Sequence, residues 1–162
     1  MMSSAPRTQD DTPVLRDATA ADLPVCATII NDYIDSTEWL PRTIDHAAVE
    51  ALFVPSLLEA RTLFVAEAHG EILGYLSMSP DDGFVPALYL RPTARGKGVG
   101  KLLLDAAKAA HPDGLELTVF ERNTDALRFY EREGFSEDPS RRDNATDEGI
   151  PTLWMRWPGG AA

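Results

Sequence analysis

Apolar positions along the chain recur at two different spacings, and the switches between them set out an order of elements. Val14–Asp17 reads as a short strand. Thr19 and Asp22 stand at capping-box spacing, and Leu23, Cys26, Ile30 and Ile34 follow at the spacing of one helix face. A loop through Ser36, Trp39, Leu40 and Pro41 leads to a second helix from Asp45. Val49, Leu52, Phe53 and Leu57 give that helix an apolar side, and Pro55 kinks or ends its first part. Thr62–Ala68 and Glu71–Met78 read as strands joined at His69-Gly70. Pro80, Asp81, Asp82 and Gly83 mark a turn before a strand over 84–90. A glycine-rich segment then opens a Leu/Ala-rich helix that stops near His111-Pro112. Leu115–Phe120 is a strand, 124–133 a helix closed by Gly134, and Thr152–Trp157 the last strand.

The order is β-α-α-β-β-β-α-β-α-β-β, with the strand after Gly134 carrying the weakest pattern. Hairpin spacing predicts antiparallel pairing early in the chain. The strand-helix-strand run over 84–120 predicts a parallel crossover. The fold class expected is α/β in the α+β sense, a mixed and mostly antiparallel central sheet flanked by helices. One domain over 14–157 is expected, with 1–13 and 158–162 as frayed ends.

Composition narrows the function classes. The 162 residues suit a single domain, and no apolar run approaches the ~20 residues of a membrane helix. The first residues do not read as a signal peptide, and the single cysteine, Cys26, cannot form an internal disulfide, so a cytoplasmic location is expected. Cys26 lies among apolar neighbours and reads as core rather than as a nucleophile. The net charge of −11 argues against nucleic acid and anionic membranes and is compatible with a cationic substrate. His46, His69 and His111 are widely separated without ligand spacing, so no metal is expected.

Against that acidic background, Arg91, Arg95, Lys97 and Lys101 fall together, with no acid between Arg91 and Leu104. Gly96, Gly98 and Gly100 lie among them, after a strand and at a helix start. Glycines there let backbone N–H groups converge on an anion at the positive end of the helix. A Walker A loop does not fit: with its Gly-Lys on Gly100-Lys101, Arg95 stands at its first glycine and Leu102 at its hydroxyl position. A dinucleotide fingerprint fails too, placing Lys101 or Leu103 at its third glycine.

The pattern that fits is Arg/Gln-x-x-Gly-x-Gly/Ala, here Arg95, Gly98 and Gly100, preceded by Leu88-Tyr89-Leu90 and followed by Leu102-Leu103-Leu104. A second pattern follows at Asn123, Ala126, Phe129, Tyr130, Gly134 and Phe135. Together they resemble the acetyl-CoA motifs of the GNAT superfamily of N-acetyltransferases. The resemblance implies acetyl-CoA as co-substrate and direct transfer of its acetyl group to a primary amine, that of a small molecule in the leading reading. Acetylation of a protein N-terminus or lysine, and a noncatalytic acetyl-CoA-binding module, are the alternatives. It implies a pyrophosphate cradle from the amides of Arg95, Gly96, Lys97, Gly98, Val99, Gly100 and Lys101. It implies main-chain contacts to the coenzyme arm from Leu88, Tyr89 and Leu90. Asn123 matches the family asparagine near that arm, and is also a good helix N-cap. Tyr130 matches the family general acid, against the plainer reading of an amphipathic core aromatic.

No acid stands in the 84–90 strand, where many family members carry a general base. Glu38, Asp81, Asp82, Glu116 and His46 are the remaining candidates, and a water chain to solvent is the preferred route. Trp39, Leu40 and Pro41 occupy the loop that overhangs the acceptor in this family. They form either a lid or a hydrophobic plug. Trp154 and Trp157 raise the same question, Trp157 as a core residue or as a contact in a homodimer.

Overall fold

The computed structural model describes residues 12–160. Its elements run β1 (Val14–Asp17), α1 (Leu23–Ser36), α2 (His46–Ala51), α3 (Ser56–Ala60), β2 (Thr62–Ala68), β3 (Glu71–Met78), β4 (Ala87–Leu90), α4 (Val99–Ala110), β5 (Leu115–Phe120), α5 (Thr124–Arg132), β6 (Ser136–Asp143) and β7 (Thr152–Trp157). This is the mixed fold expected, with antiparallel sheets flanked by helices. The sheet, however, comes in two parts: a four-stranded piece ordered β1-β2-β3-β4 and a three-stranded piece ordered β5-β7-β6.

Local chemistry explains most of the boundaries. Asp22 closes the capping box onto the Thr19 N–H at 2.7 Å, and also receives Arg16 at 2.7 and 3.0 Å. Asp45 caps α2 by accepting from the Ala48 N–H at 2.8 Å. The stretch expected to be kinked or ended by Pro55 is two short helices: α2 already stops at Ala51, and Pro55 stands as the N-cap of α3. The β2–β3 hairpin turns on His69 and Gly70, both at positive φ (55° and 73°), the geometry of the tightest hairpin loop. β6 contains Pro139, which an edge strand tolerates.

Two expectations for 84–120 change. The strand over 84–90 is interrupted: Phe84 makes one isolated parallel bridge to Glu116, and regular pairing starts only at Ala87. The Val85 N–H donates to the Glu116 carbonyl at 2.8 Å, and the Glu116 N–H to the Gly83 carbonyl at 3.1 Å. Pro86 then has no N–H to extend a ladder, and from Ala87 onward β4 pairs with β3 alone. The parallel crossover is therefore realised at one point, beyond which β4 and β5 belong to different sheets.

Two apolar clusters flank the sheets. Leu103, Leu104 and Ala107 of α4 pack with Leu76, Leu117, Tyr130, Phe135 and Met155. On the other face, Cys26 and Ile29 of α1 pack with Val65, Ile72 and Tyr75. Cys26 is fully buried, and burial pushes its thiol up to about 12, as suits an inert core residue. Trp157 packs on the first cluster and lies under the Lys108 ammonium, 5.1 Å from the ring centre. Trp154 faces away from it, stacked by the Arg141 guanidinium at 3.6 Å. At the C-terminal end the Gly160 N–H donates to the Pro112 carbonyl at 2.9 Å. The rest of the expectation about chain ends, at 1–11 and 161–162, lies outside the described residues.

Candidate active site

The divergence of β4 from β5 opens a cavity of about 1100 Å³. Its walls bring together most of the residues singled out above: Leu88, Tyr89 and Leu90 of β4, Arg95, Gly96, Gly98, Gly100 and Lys101 at the start of α4, Asn123 before α5 and Tyr130 within it; Lys97 and Val99 of the same loop do not line it. The Arg91 N–H donates to the Leu73 carbonyl at 2.8 Å. Main-chain direction alternates along a strand, so Tyr89 and Ala87 present their amides to β3, while Leu88 and Leu90 present theirs to the gap.

The helix start at one end of the cavity has the form of an anion site. Gly98 caps α4 at φ +82°, a left-handed conformation in which glycine carries no Cβ strain. The first helical bond here runs from the Leu102 N–H to the Gly98 carbonyl at 3.0 Å, so the N–H groups of Val99, Gly100 and Lys101 emerge from the helix end. A Cβ placed on Gly96 or Gly98 would meet no protein atom within 4 Å, so open space lies before both. At Gly100 a Cβ would come within 3.3 Å of the Phe129 ring, so this glycine also lets α4 and α5 approach. The basic side chains contribute unequally. Arg91 is committed to the Ile72 carbonyl at 2.7 Å. Lys101 pairs with Glu133 at 3.0 Å and Asp105 at 3.5 Å. Arg95 lies over the Tyr33 ring at 5.8 Å and, like Lys97, is exposed.

Asn123 is the N-cap of α5: its Oδ1 accepts from the Ala126 N–H at 3.1 Å, and its Nδ2 donates to the Tyr33 hydroxyl at 3.2 Å. Tyr130 is wedged between Phe129 and Phe135, with ring centres at 5.1 and 5.5 Å, and faces the cavity. Burial, then the neighbouring phenols of Tyr89 and Tyr33, hold its hydroxyl well above the usual tyrosine range. Burial likewise pushes Tyr89 up to about 12, with Tyr33 and Glu148 adding to it.

A second cavity of about 350 Å³ lies on the α1 face of β4. Pro86, Ala87, Tyr89 and Phe120 line both cavities, so the two meet at the gap. Leu40 and Pro41 form part of the second wall, while Trp39 lies edge-on to Phe120 at 5.8 Å. The loop carrying them is strapped to α1 by Arg42, which donates to Asn31 Oδ1 at 2.9 Å, the Asn31 carbonyl at 3.2 Å and Asp35 at 2.8 Å.

The candidate bases scatter. Asp82 caps its own turn at the Phe84 N–H (3.0 Å), Glu116 pairs with Arg141 at 2.5 Å, and His46 meets Asp35 at 2.7 Å. Asp81 is exposed in the same turn as Asp82, and Glu38 stands on the wall of the larger cavity. Sequence reasoning passed over Tyr33 and Glu148. Tyr33 continues the helical spacing of Cys26 and Ile30, a signal that was available. Glu148 sits in the β6–β7 loop, where no local pattern marks it. Among the described residues no group of His, Cys, Asp and Glu is placed to hold a metal ion, and no helix is long and apolar enough to cross a membrane.

A helix end with outward-facing amides, a strand edge beside it and two cavities meeting at one gap suit a transferase of two substrates. Residues 59–137 match the acetyltransferase (GNAT) domain. The L-methionine sulfoximine/L-methionine sulfone acetyltransferase of Pseudomonas aeruginosa is 34% identical over 135 residues, spanning 75% of this chain and 78% of that protein. The peptidyl-lysine N-acetyltransferase YiaC of Escherichia coli is 28% identical over 153 residues, 90% of this chain and 97% of that one. The structure of YncA from Salmonella typhimurium with its cofactor acetyl-CoA shares the fold, with a TM-score of 0.70 at 21% identity over 93% of this chain and 96% of that one. The chain belongs to the GNAT superfamily and is an acetyl-CoA-dependent N-acetyltransferase.

Proposed function

We propose that the enzyme transfers the acetyl group of acetyl-CoA to the primary amine of a small molecule, by direct attack across the gap between β4 and β5. The observation that supports this most is the meeting of the two cavities at Ala87, Tyr89 and Phe120. The larger has phosphate-binding and amide-pairing groups, and the smaller is mainly apolar.

The fit of the larger cavity to acetyl-CoA rests on its open glycine positions and unpaired helix-end amides. In this reading the N–H groups from Gly96 to Lys101 receive the pyrophosphate, and Arg95 and Lys97 add screened attraction. Leu88 and Leu90 pair with the amides of the coenzyme arm; Tyr89 contributes its ring. Asn123 orders the start of α5 and holds Tyr33. When bound, acetyl-CoA supplies an activated acyl group with a thiol leaving group. Tyr130, kept neutral by burial, donates its proton toward the departing sulfur. The incoming amine must shed a proton to attack, and that proton leaves through the acceptor side. A cytoplasmic setting belongs to this reading.

Peptidyl-lysine is the second reading, favoured by the relation to YiaC. The deciding experiment follows thiol release from acetyl-CoA with amino acids, polyamines, simple alkyl and arylalkyl amines, and lysine peptides. Turnover with a small amine supports the proposal. Turnover with lysine peptides alone overturns it in favour of the second reading.

A further inference from the structure

We infer that the acceptor is a primary amine on an uncharged apolar body, with no anionic group beside the amine, and that Glu148 holds its ammonium. This rests on the reading of the chain as a small-amine acetyltransferase and narrows its substrate class.

The smaller cavity is walled mainly by aliphatic side chains, among them Ile34, Leu40, Ile44, Leu52 and Leu57. Ile44 and Leu52 are 44% and 60% exposed, two of the four exposed large hydrophobics among the described residues. Both edge one concave site, which suits an apolar ligand better than solvent. The volume of about 350 Å³ lies at the small end of ligand cavities. It suits a compact body rather than a folded peptide segment.

The ionisable groups on its walls are one-sided. Among the described residues, Glu148 is its one carboxylate, Tyr75 and Tyr89 are its phenols, and no lysine, arginine or histidine lines it. An acceptor with a carboxylate or phosphonate beside its amine would bury that anion without a counter-charge. An ammonium meets a carboxylate and no opposing cation. Glu148 is half-buried and close enough to raise the Tyr89 phenol, after burial and Tyr33. Tyr89 lines both cavities. The carboxylate therefore shares the wall of the smaller cavity with Tyr89, one of the residues at which that cavity meets the gap, and the rest of the wall is mainly aliphatic. The ammonium paired there gives up its proton, to the carboxylate or onward to solvent, and the freed amine then faces the acyl donor with its hydrocarbon body behind it. Free amino acids, including those named for the Pseudomonas relative, lack the basic partner here that their carboxylate would need.

The test compares thiol release from acetyl-CoA for 2-phenylethylamine, hexylamine, phenylalanine and a lysine peptide, with acetyl-CoA binding measured separately by calorimetry. The expected result is a kcat/KM for 2-phenylethylamine at least roughly tenfold above that for phenylalanine, the scale of one charged hydrogen bond. Glu148→Gln should raise the KM for 2-phenylethylamine roughly tenfold or more and leave acetyl-CoA affinity unchanged. Ile44→Arg, at an exposed position that folding should tolerate, should narrow the preference for the amine over the amino acid by placing a cation on the wall. A preference for phenylalanine or the lysine peptide, or a Glu148→Gln variant with unchanged amine KM, would overturn the inference. If acetyl-CoA binds and only the lysine peptide turns over, the small-amine reading fails with it. If both amino acid and amine turn over with the amino acid preferred, the small-amine reading stands and only the acceptor class falls. Absence of acetyl-CoA binding would remove both.

Discussion

Replacing Tyr130 by Phe removes one oxygen from the wall of the larger cavity and little else. The ring keeps its contacts with Phe129 and Phe135, at 5.1 and 5.5 Å, so stability should change by no more than about 1 kcal/mol, the net scale of one hydrogen bond. General acid catalysis contributes roughly 10²–10⁴-fold, or about 3–5 kcal/mol of barrier. The structure favours the lower end. Burial holds the phenol well above its ordinary range, whereas a thiol's ordinary value is about 8.5. Complete transfer to a free thiolate would therefore be uphill, and the help comes while negative charge is still developing on a sulfur that is itself desolvated. We expect kcat to fall by roughly 10²-fold, with acetyl-CoA affinity by calorimetry unchanged. The loss should shrink with an acyl donor whose leaving group is a weaker base. Because the raised phenol stays protonated, the wild-type rate should show no alkaline decline from Tyr130 below about pH 10. A Phe variant with full kcat on its acceptor would refute the acid role and leave Tyr130 as a packing residue.

Three further outcomes can be measured. Gly98→Ala meets no protein atom but must hold φ at +82°, so it should cost about 1–2 kcal/mol of stability and still fold; acetyl-CoA affinity should drop as the methyl enters the cradle, and unchanged calorimetric binding would displace the cradle from this loop. Asp22 is drawn down from 3.8 to about 2 by Arg16 first, then by the Thr19 cap. That depressed value stabilises the fold above about pH 4 by about 2 kcal/mol and the gain is lost as pH falls toward 2; Asp22→Asn should lower stability in urea at pH 7 by that amount, and an equal midpoint would refute it. Arg42→Ala should free the loop over the smaller cavity, raising amine KM several-fold with kcat little changed, and a proportional loss of kcat instead would mean the loop acts on the chemistry.

Much of the fold was legible because it is locally encoded. The Thr19–Asp22 cap, the His69-Gly70 turn, Gly134 and the spacing of Leu115, Leu117 and Val119 each carry their own instruction, and the elements fall where those residues put them. What was missed is tertiary. The run over 84–90 looks like one strand by composition, yet Pro86 divides it, and only the packing of β3 on one edge and β5 on the other decides where each pairing ends. The glycine loop was visible as a motif, but not that Lys101 turns to Glu133 and Arg91 to Ile72, since partners 32 and 19 residues away leave no local trace. Glu148 shows the same limit: one acid in a polar loop, distinguished only by the walls that the fold brings to it.

In the proposed reading, the interruption at Pro86 also lets both substrates be served from one strand. A coenzyme arm rich in amides needs unpaired main-chain groups, and a continuous sheet would have consumed them. An apolar amine needs a dry wall, which the α1 face of the sheet provides through Ala87 and Tyr89 but which lies behind the strand as seen from α4. Splitting the sheet after a single bridge at Phe84 and Glu116 opens the edge to the larger cavity, proposed for the donor, and the opposite face to the smaller one, proposed for the acceptor, at the same residues. Chain connectivity then makes the gap stable. The β7 strand between β5 and β6 anchors the second sheet, so β5 does not need β4 to complete its pairing. Closing the gap would gain a few ladder bonds, but it would require Pro86 to sit within a paired strand.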